Sequence, residues 1–338
     1  MIPIVGDMHV GARSGNKLYH EYFSLWLKDF FQFVDDNDIR EFIQLGDMFD
    51  VRKHVDTWCL SWFKEKFVKE CVDRKLLVHV IIGNHDIHYR ESLEVNTPNL
   101  VLSEWSDTFN VIDKPTEVAI DGKTFLLVPW IAKSNKEDVE KAIKKSKASY
   151  LCGHFEFNGF PMHKGSVAKT KHDHVSYGKF KKIFSGHFHT KSEKDNVIYT
   201  GTPYETTWID ANDEKGFYVI GEDTIRFEPN SHTFHEFIRF PEVRDVSKKF
   251  IRGIIEDLSD KKAIENWKEK LLAFNPHDIK FQEKTQVTYA SSVNMDKIKS
   301  TEEFIFDFID ETETNLDKDR LKNIMSGIYQ AVMGDDNA

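Results

Sequence analysis

Cysteine is scarce in this chain. Its three cysteines, Cys59, Cys71 and Cys152, are odd in number and far apart. They exclude a disulfide framework and fit a reducing compartment. Cys59 and Cys71 fall on one apolar helical pattern, where thiols behave as small buried hydrophobes. Long apolar runs are missing too. No stretch approaches the roughly twenty apolar residues that span a bilayer, so no membrane association is expected. The start, Met1-Ile2-Pro3-Ile4-Val5, runs straight into an Asp-x-His motif, unlike a signal peptide. A cytoplasmic location is expected. Positive charge is in deficit, with 46 Lys and Arg against 56 Asp and Glu, a net charge of -10. Taken alone, that argues against a general nucleic-acid binder. A net figure hides local patches, however. Lys164, Lys169, Lys171, Lys179, Lys181 and Lys182 crowd one segment opposed only by Asp173, whereas residues 302–319 are mainly acidic.

What is present is a folded chain of 338 residues, 40% hydrophobic and 13% aromatic, long enough for two or three domains. Residues 2–6 read as a buried strand. Tyr19, Phe23, Trp26, Leu27, Phe30 and Val34 then recur at helical spacing over 16–36. Strands follow at 42–45 and 76–82, with a helix near 56–74 between them. This β-α-β-α-β rhythm predicts parallel strands with helical crossovers, whose functional loops gather beyond the carboxyl ends of the strands. After residue 105 the pattern changes. Val118-Ala119-Ile120, Asp121-Gly122 and Thr124–Val128 form a hairpin signal. A helix is predicted near 135–147, and strands at 148–152, 182–185, 196–200, 216–220, 224–228 and 234–240. The simplest arrangement is a sandwich of two sheets with helices outside. From 241 a small β-α-β unit follows, with its helix over Lys261–Phe274. Residues 286–300 read as a polar linker. Two short helices end the chain, one lined by Phe304, Ile305 and Phe308, the other by Leu321, Ile324, Met325, Ile328, Tyr329 and Val332.

Five motifs carry the chemistry: Asp7-Met8-His9, Gly46-Asp47-Met48-Phe49-Asp50, Gly83-Asn84-His85-Asp86, Gly153-His154 and Gly186-His187-Phe188-His189. Each sits where an apolar run gives way to a glycine, as when several strands end at one rim and each loop delivers a ligand. One such motif is weak evidence, because a lone histidine is usually structural. All five, each at a strand end, are specific. A workable assignment puts Asp7, His9, Asp47 and His189 on one metal, and Asp47, Asn84, His154 and His187 on another. Mixed oxygen and nitrogen ligation suits manganese, iron or zinc better than magnesium or calcium. Paired cations hydrolyse phosphate esters. His85, beside Asn84 but not needed as a ligand, is the candidate general acid. Asp50 is expected to hydrogen-bond it and favour the imidazolium. Arg52, Lys164, Lys169, Lys171 and Lys179 are candidate DNA contacts. The remaining histidines, among them His54, His79, His88, His163, His172 and His174, read as structural or solvent-exposed.

In this order the motifs resemble those of the calcineurin-like metallophosphoesterases, over residues 7 to 189. The Gly46–Asp50 box lacks the Asp-Arg-Gly ending of Ser/Thr protein phosphatases, and Gly83–Asp86 ends in Asp where those have Glu. Tyr199-Thr200-Gly201-Thr202-Pro203 is similar to the strand and turn of the SbcD nucleases. Trp130 after Val128-Pro129, and Asn158-Gly159 after His154, bring the phage versions closest. The resemblance implies a four-layer α/β/β/α sandwich of the α+β class. It implies a manganese-dependent 3′-to-5′ exonuclease on double-stranded DNA ends, with endonuclease activity on single-stranded DNA. It also implies a homodimer that joins an SbcC-type ABC ATPase through its coiled coil, in the host cytoplasm if the chain is phage-encoded. Metal ligands carry over onto Asp7, His9, Asp47, Asn84, His154, His187 and His189, and the acid onto His85. Archaeal members often have histidine where this chain has Asp50, whereas bacterial and phage members commonly have Asp.

The expected organisation is a nuclease domain over 1–240, a DNA-binding capping domain over 241–285, a linker over 286–300 and a partner-binding helix pair over 301–334. Phe304, Phe308, Leu321, Met325 and Ile328 would meet the ATPase. Large apolar faces on short helices independently favour a partner site. The helices at 56–74 and 91–103 are candidates for the dimer surface. Two rival readings are a phosphodiesterase or phosphatase acting on small substrates with the same metals, and a scaffold that has lost them. Every ligand position is filled, which argues against the scaffold.

Overall fold

The computed structural model describes residues 1–163 and 166–283, and beyond them residues 309, 317, 318, 320–322 and 325. The parallel pattern read in the first third folds as expected. Strands Ile2–Val5, Glu41–Gln44, Leu77–Ile81 and Phe109–Ile112 are parallel neighbours. Helix Lys17–Asp36 links the first two. A helical run from Thr57 to Asp73, with one π-helical turn at Lys64–Val68, links the next two. Gly216–Ile220 and Ile225–Pro229 extend the sheet antiparallel beyond Ile2–Val5. The second sheet also has six strands. Its parallel core is Lys123–Val128, Tyr150–His154, Lys182–Gly186 and Val197–Tyr199, flanked antiparallel by Thr116–Ile120 and Ser192–Lys194.

Alternation along the strands explains how the layers stack, because neighbouring side chains point to opposite faces. Ile2, Ile4, Ile43 and Ile81 meet Phe125, Leu127, Cys152, Phe184 and Ile198 in a core between the sheets. Phe42, Val78 and Val80 face the other way, onto Phe23, Phe30, Phe63 and Phe67 of the helices. Leu126, Val128, Leu151 and Ile183 pack outward against Val139 and Ile143 of helix Lys136–Lys145. The result is the four-layer α/β/β/α sandwich.

Two segments depart from the sequence reading. Ser92–Asn96 is a strand paired with Ile87–Tyr89, and helix is confined to Thr97–Leu102. The Asn96 side chain accepts from the Asn99 N–H, and Pro98 stands in the first turn. Both features start a helix there and not earlier. The second departure concerns His235–Arg239. It pairs parallel with Phe250–Ile255, which pairs with Asp278–Glu283. This three-stranded sheet thus includes a strand that lies before the expected boundary at 240. Helix Lys261–Ala273 packs on this sheet through Ile264, Trp267 and Leu271. The chain divides into two units, 1–284 and 285–338. Within the second, Leu321 and Met325 are helical and half-buried. Phe304, Phe308, Ile328 and the linker 286–300 lie outside the described residues, as does Lys164. No helix among the described residues is long and apolar enough to cross a membrane.

Candidate metal centre

The loops after the parallel strands of both sheets converge at one rim. Two of them, 7–10 and 46–50, are zipped by backbone bonds: the Met8 and His9 N–H groups donate to Asp47 O at 3.1 and 3.0 Å, and Val10 N–H to Met48 O at 2.9 Å. The packing leaves no room for side chains at two glycines. A Cβ on Gly46, whose φ is +103°, would lie 2.6 Å from His154 Nδ1, and one on Gly83 would lie 2.2 Å from Asp47 Oδ1. Three of the expected ligands themselves sit at positive φ: His9 at 42°, Asp47 at 49° and His187 at 86°. Such backbone is uncommon for residues other than glycine and clusters at functional sites.

The side chains form two adjoining clusters. Ligand atoms of Asp7, His9 and His189 all lie within 4.8 Å of one another, and so do those of Asp47, His154 and His187. His9 and His189 bring their Nε2 atoms to 2.9 Å. Asn84 Oδ1 stands 2.9 Å from both His154 Nε2 and His187 Nδ1. Asp47 Oδ2 is 3.2 Å from His154 Nε2. The His154 Nδ1–H donates across the sandwich to Leu45 O at 2.8 Å, which turns Nε2 toward the cluster.

Electrostatics mark the cluster as starved of positive charge. Asp7 and Asp47 are almost wholly buried, and among the described residues neither forms a salt bridge with a Lys or Arg. Burial, reinforced by the charge of Asp47, pushes Asp7 up to about 7. Burial also disfavours the Asp47 carboxylate, but His154 and His9 outweigh it and hold Asp47 below its usual range. For His154, burial is overcome by Asp47 and Asp7, which push it up to about 9. Burial and neighbouring imidazoles push His187 and His189 down to about 3. They are neutral, the form in which imidazole binds metal. Buried carboxylates, two neutral imidazoles, one amide oxygen, and two further imidazoles whose protons a cation would displace, fit a pair of divalent cations.

His85 stands at the edge of this group, its ring edge-on to His9 at 5.1 Å between centroids. Its backbone N–H donates to Asp47 Oδ1 at 2.6 Å, and its Nδ1 to the backbone carbonyl of Asp50 at 2.6 Å. Here the structure corrects the expected pairing. The Asp50 carboxylate lies 3.3 Å from His9 Nδ1 instead. The extended loop turns the Asp50 carbonyl toward His85 and its side chain toward His9. Burial disfavours the His9 imidazolium, but Asp50, Asp47 and Asp7 together push it up to about 9.

Several supporting residues had no sequence assignment. Asp86, fully buried, accepts from the N–H groups of Gly83, Met48 and Phe49 and so ties two ligand loops together. Behind His189, Lys215 Nζ donates to its carbonyl at 2.8 Å and to Asp210 Oδ1 at 2.7 Å. Asp210 Oδ2 accepts from Thr206, whose hydroxyl is 3.5 Å from His189 Nδ1. The final residue of the GNHD box signalled Asp86, whereas no motif marked Asp210 or Lys215.

The candidate DNA contacts scatter. Arg52 is half-buried within range of the Arg90 and Asp47 charges. Lys169 and Lys171 are exposed, and Lys171 lines a cleft beside His154. Lys179 is engaged elsewhere. Its ammonium donates to the carbonyls of Lys144 and Ser146 at 3.2 and 2.7 Å, covering the end of helix Lys136–Lys145, where backbone carbonyls lack partners.

Known proteins resemble this chain to different degrees. The calcineurin-like phosphoesterase family matches residues 2–191. Exonuclease subunit 1 of Enterobacteria phage T4 is 34% identical over 262 residues, 75% of this chain and 76% of that protein. Among solved structures, the Aquifex aeolicus protein of unknown function AQ665 is 16% identical with a TM-score of 0.27, covering 46% of this chain and 80% of its own. GAP50, the anchor in the inner membrane complex of Plasmodium, is 13% identical with a TM-score of 0.35, covering 67% and 76%.

Proposed function

This chain belongs to the calcineurin-like phosphoesterase family of metal-dependent hydrolases, and from that premise we propose that it is a DNA exonuclease subunit. The observation that carries the DNA reading is the likeness to the phage exonuclease subunit. It runs over 262 residues, longer than the family match at 2–191, so it is not confined to the ligand motifs.

Asp7, His9, Asp47 and His189 would hold one cation, and Asp47, Asn84, His154 and His187 the other, with Asp47 shared. Manganese suits this mixed donor set. Two divalent cations held there would acidify a water and neutralise charge on the phosphate. The chain's own groups do the rest. His85, fixed through Nδ1 by the Asp50 carbonyl, hands a proton from Nε2 to the leaving alkoxide. Asp50, through its carboxylate, steadies His9. In the same reading a dimer of this chain joins an SbcC-type ATPase through residues 301–334, and single-stranded DNA is a second substrate, cut internally.

The test is digestion of end-labelled duplex with manganese, with and without the ATPase, beside hydrolysis of bis(p-nitrophenyl) phosphate. Release of labelled nucleotides supports the reading. Intact duplex with rapid hydrolysis of the small ester overturns it in favour of a small-substrate phosphodiesterase. A His85→Ala chain should retain both metals and lose roughly 10²- to 10⁴-fold in kcat, the usual weight of a general acid. Unchanged turnover would remove His85 from that role.

A further inference from the structure

A cleft of about 660 Å³ opens directly beside the His154 side of the metal centre. Its wall toward the centre is Trp130, whose ring centroid lies 5.3 Å from that of His187 and 5.9 Å from that of His154. The indole is half-buried on a fixed loop. Trp130 N–H donates to Ile82 O at 2.7 Å, and the Asn135 amide donates to Trp130 O at 2.9 Å while its oxygen accepts from Ala132 N–H. The lining also includes His172 and Tyr177, joined by a 2.6 Å hydrogen bond. Lys136 and Lys171 bring positive charge, and Glu140, Glu156 and Asp173 negative charge.

We propose that this cleft receives one unstacked nucleobase of the substrate, stacked on Trp130, while the phosphate beside it occupies the metal centre. The proposal rests on the DNA reading above and specifies how the substrate is held. The volume exceeds that of one nucleotide and lies in the range of small-molecule pockets. Aromatic faces accept any base by stacking. The carboxylates repel a second phosphate but accept hydrogen bonds from exocyclic amino groups, as acidic side chains do with cytosine. The two lysines are left for the flanking backbone. A wholly apolar ligand would desolvate the half-buried Glu156 without offering it a donor.

Two readouts test this on the full chain. The first is a cycle with Trp130→Ala and duplexes carrying an abasic site at either nucleotide flanking the cleaved phosphate. Losing the indole or the base should each lower kcat/KM by roughly ten- to hundredfold, the weight of one stacked base. Losing both should cost no more than losing one, and Trp130→Phe should restore most of the rate. The second is photocrosslinking of 5-iododeoxyuridine at the same position, in calcium, with the adduct mapped by mass spectrometry to Trp130, His172 or Tyr177. Equal losses on normal and abasic DNA, or adducts only elsewhere, would overturn the stacking site while leaving the nuclease reading intact. Absence of DNA cleavage by the unmodified chain would overturn the nuclease reading itself.

Discussion

Around the His9 and His189 rings the supporting groups are charged and polar side chains, whereas around the His154 and His187 rings they are a backbone carbonyl and an indole. Asp50 stands on His9, and Asp210, Lys215 and Thr206 stand behind His189. By contrast the His154 ring leans on the carbonyl of Leu45, Asp7 holds His187 by its backbone N–H and not by its ring, and both rings lie against Trp130. The backbone-supported half is fixed by the sandwich itself, since Leu45 and His154 come from opposite sheets. The charge-supported half can be altered one side chain at a time. Partners of a ligating imidazole set both its orientation and its basicity. The two halves should therefore fail in different ways.

The largest effect should come from the residue common to both. Asp47→Ala should lower phosphodiesterase activity by more than about 10³-fold and strip both cations, as read by metal analysis of the purified chain. If one cation per chain stays bound at full affinity, the halves are independent sites and the comparison breaks. Next is Lys215→Met. Lys215 and Asp210 are 1% and 3% exposed, so solvent screens the pair little. Removing one member of a buried pair costs about 3–5 kcal/mol. The lower end is expected, because Asp210 keeps the Thr206 and Thr207 N–H donors, each at 2.8 Å. Urea denaturation reads this directly, and an unchanged midpoint would show that the charge-supported half does not depend on its charges. Asp86→Asn should then cost about 1–3 kcal/mol of stability, from buried N–H groups losing an acceptor. Its metal affinity should hold, since Asp86 touches loop backbone and no ligand side chain. A chain with normal stability and weak metal binding would reverse that assignment.

The layers and the loops that converge on the rim were legible in the sequence because both rest on local pattern. Period-two apolar strands ending on Gly-Asp, Gly-Asn or Gly-His can be read without coordinates. What it hid were choices between atoms and between neighbours. Spacing brought Asp50 near His85, but only the backbone path decides that the carbonyl serves His85 and the carboxylate His9. The 234–240 segment reads as a strand whichever sheet it joins, so its pairing with Phe250–Ile255 was invisible. Lys179 reads as part of a basic patch, yet helix Lys136–Lys145 ends beneath its ammonium. Lys215 lies 26 positions beyond His189 (215 − 189), with no motif to join them.

The smallest effect, and the sharpest probe of the difference between the halves, should be Asp50→Asn. The Asp50 carboxylate is 32% exposed, so water screens it more than Asp210, and a loss near tenfold in metal affinity is expected, the low end for such partners. Its pH dependence separates electrostatics from mere orientation. Asp50 helps push His9 up to about 9, so below that pH a cation must displace a proton from His9, and affinity rises with pH. The asparagine lowers the pKa of His9 and thus the pH at which displacement ends. Between about pH 7 and 9 the variant should release fewer protons per metal bound and show a flatter rise in affinity. A carboxylate favours a doubly charged cation over a single proton, so the variant's deficit should be greatest at the alkaline end. Calorimetric titrations in buffers of different ionisation enthalpy measure both quantities. Equal proton release in the two chains would mean that Asp50 orients His9 without tuning its charge, and the contrast between the two halves would then be one of geometry alone.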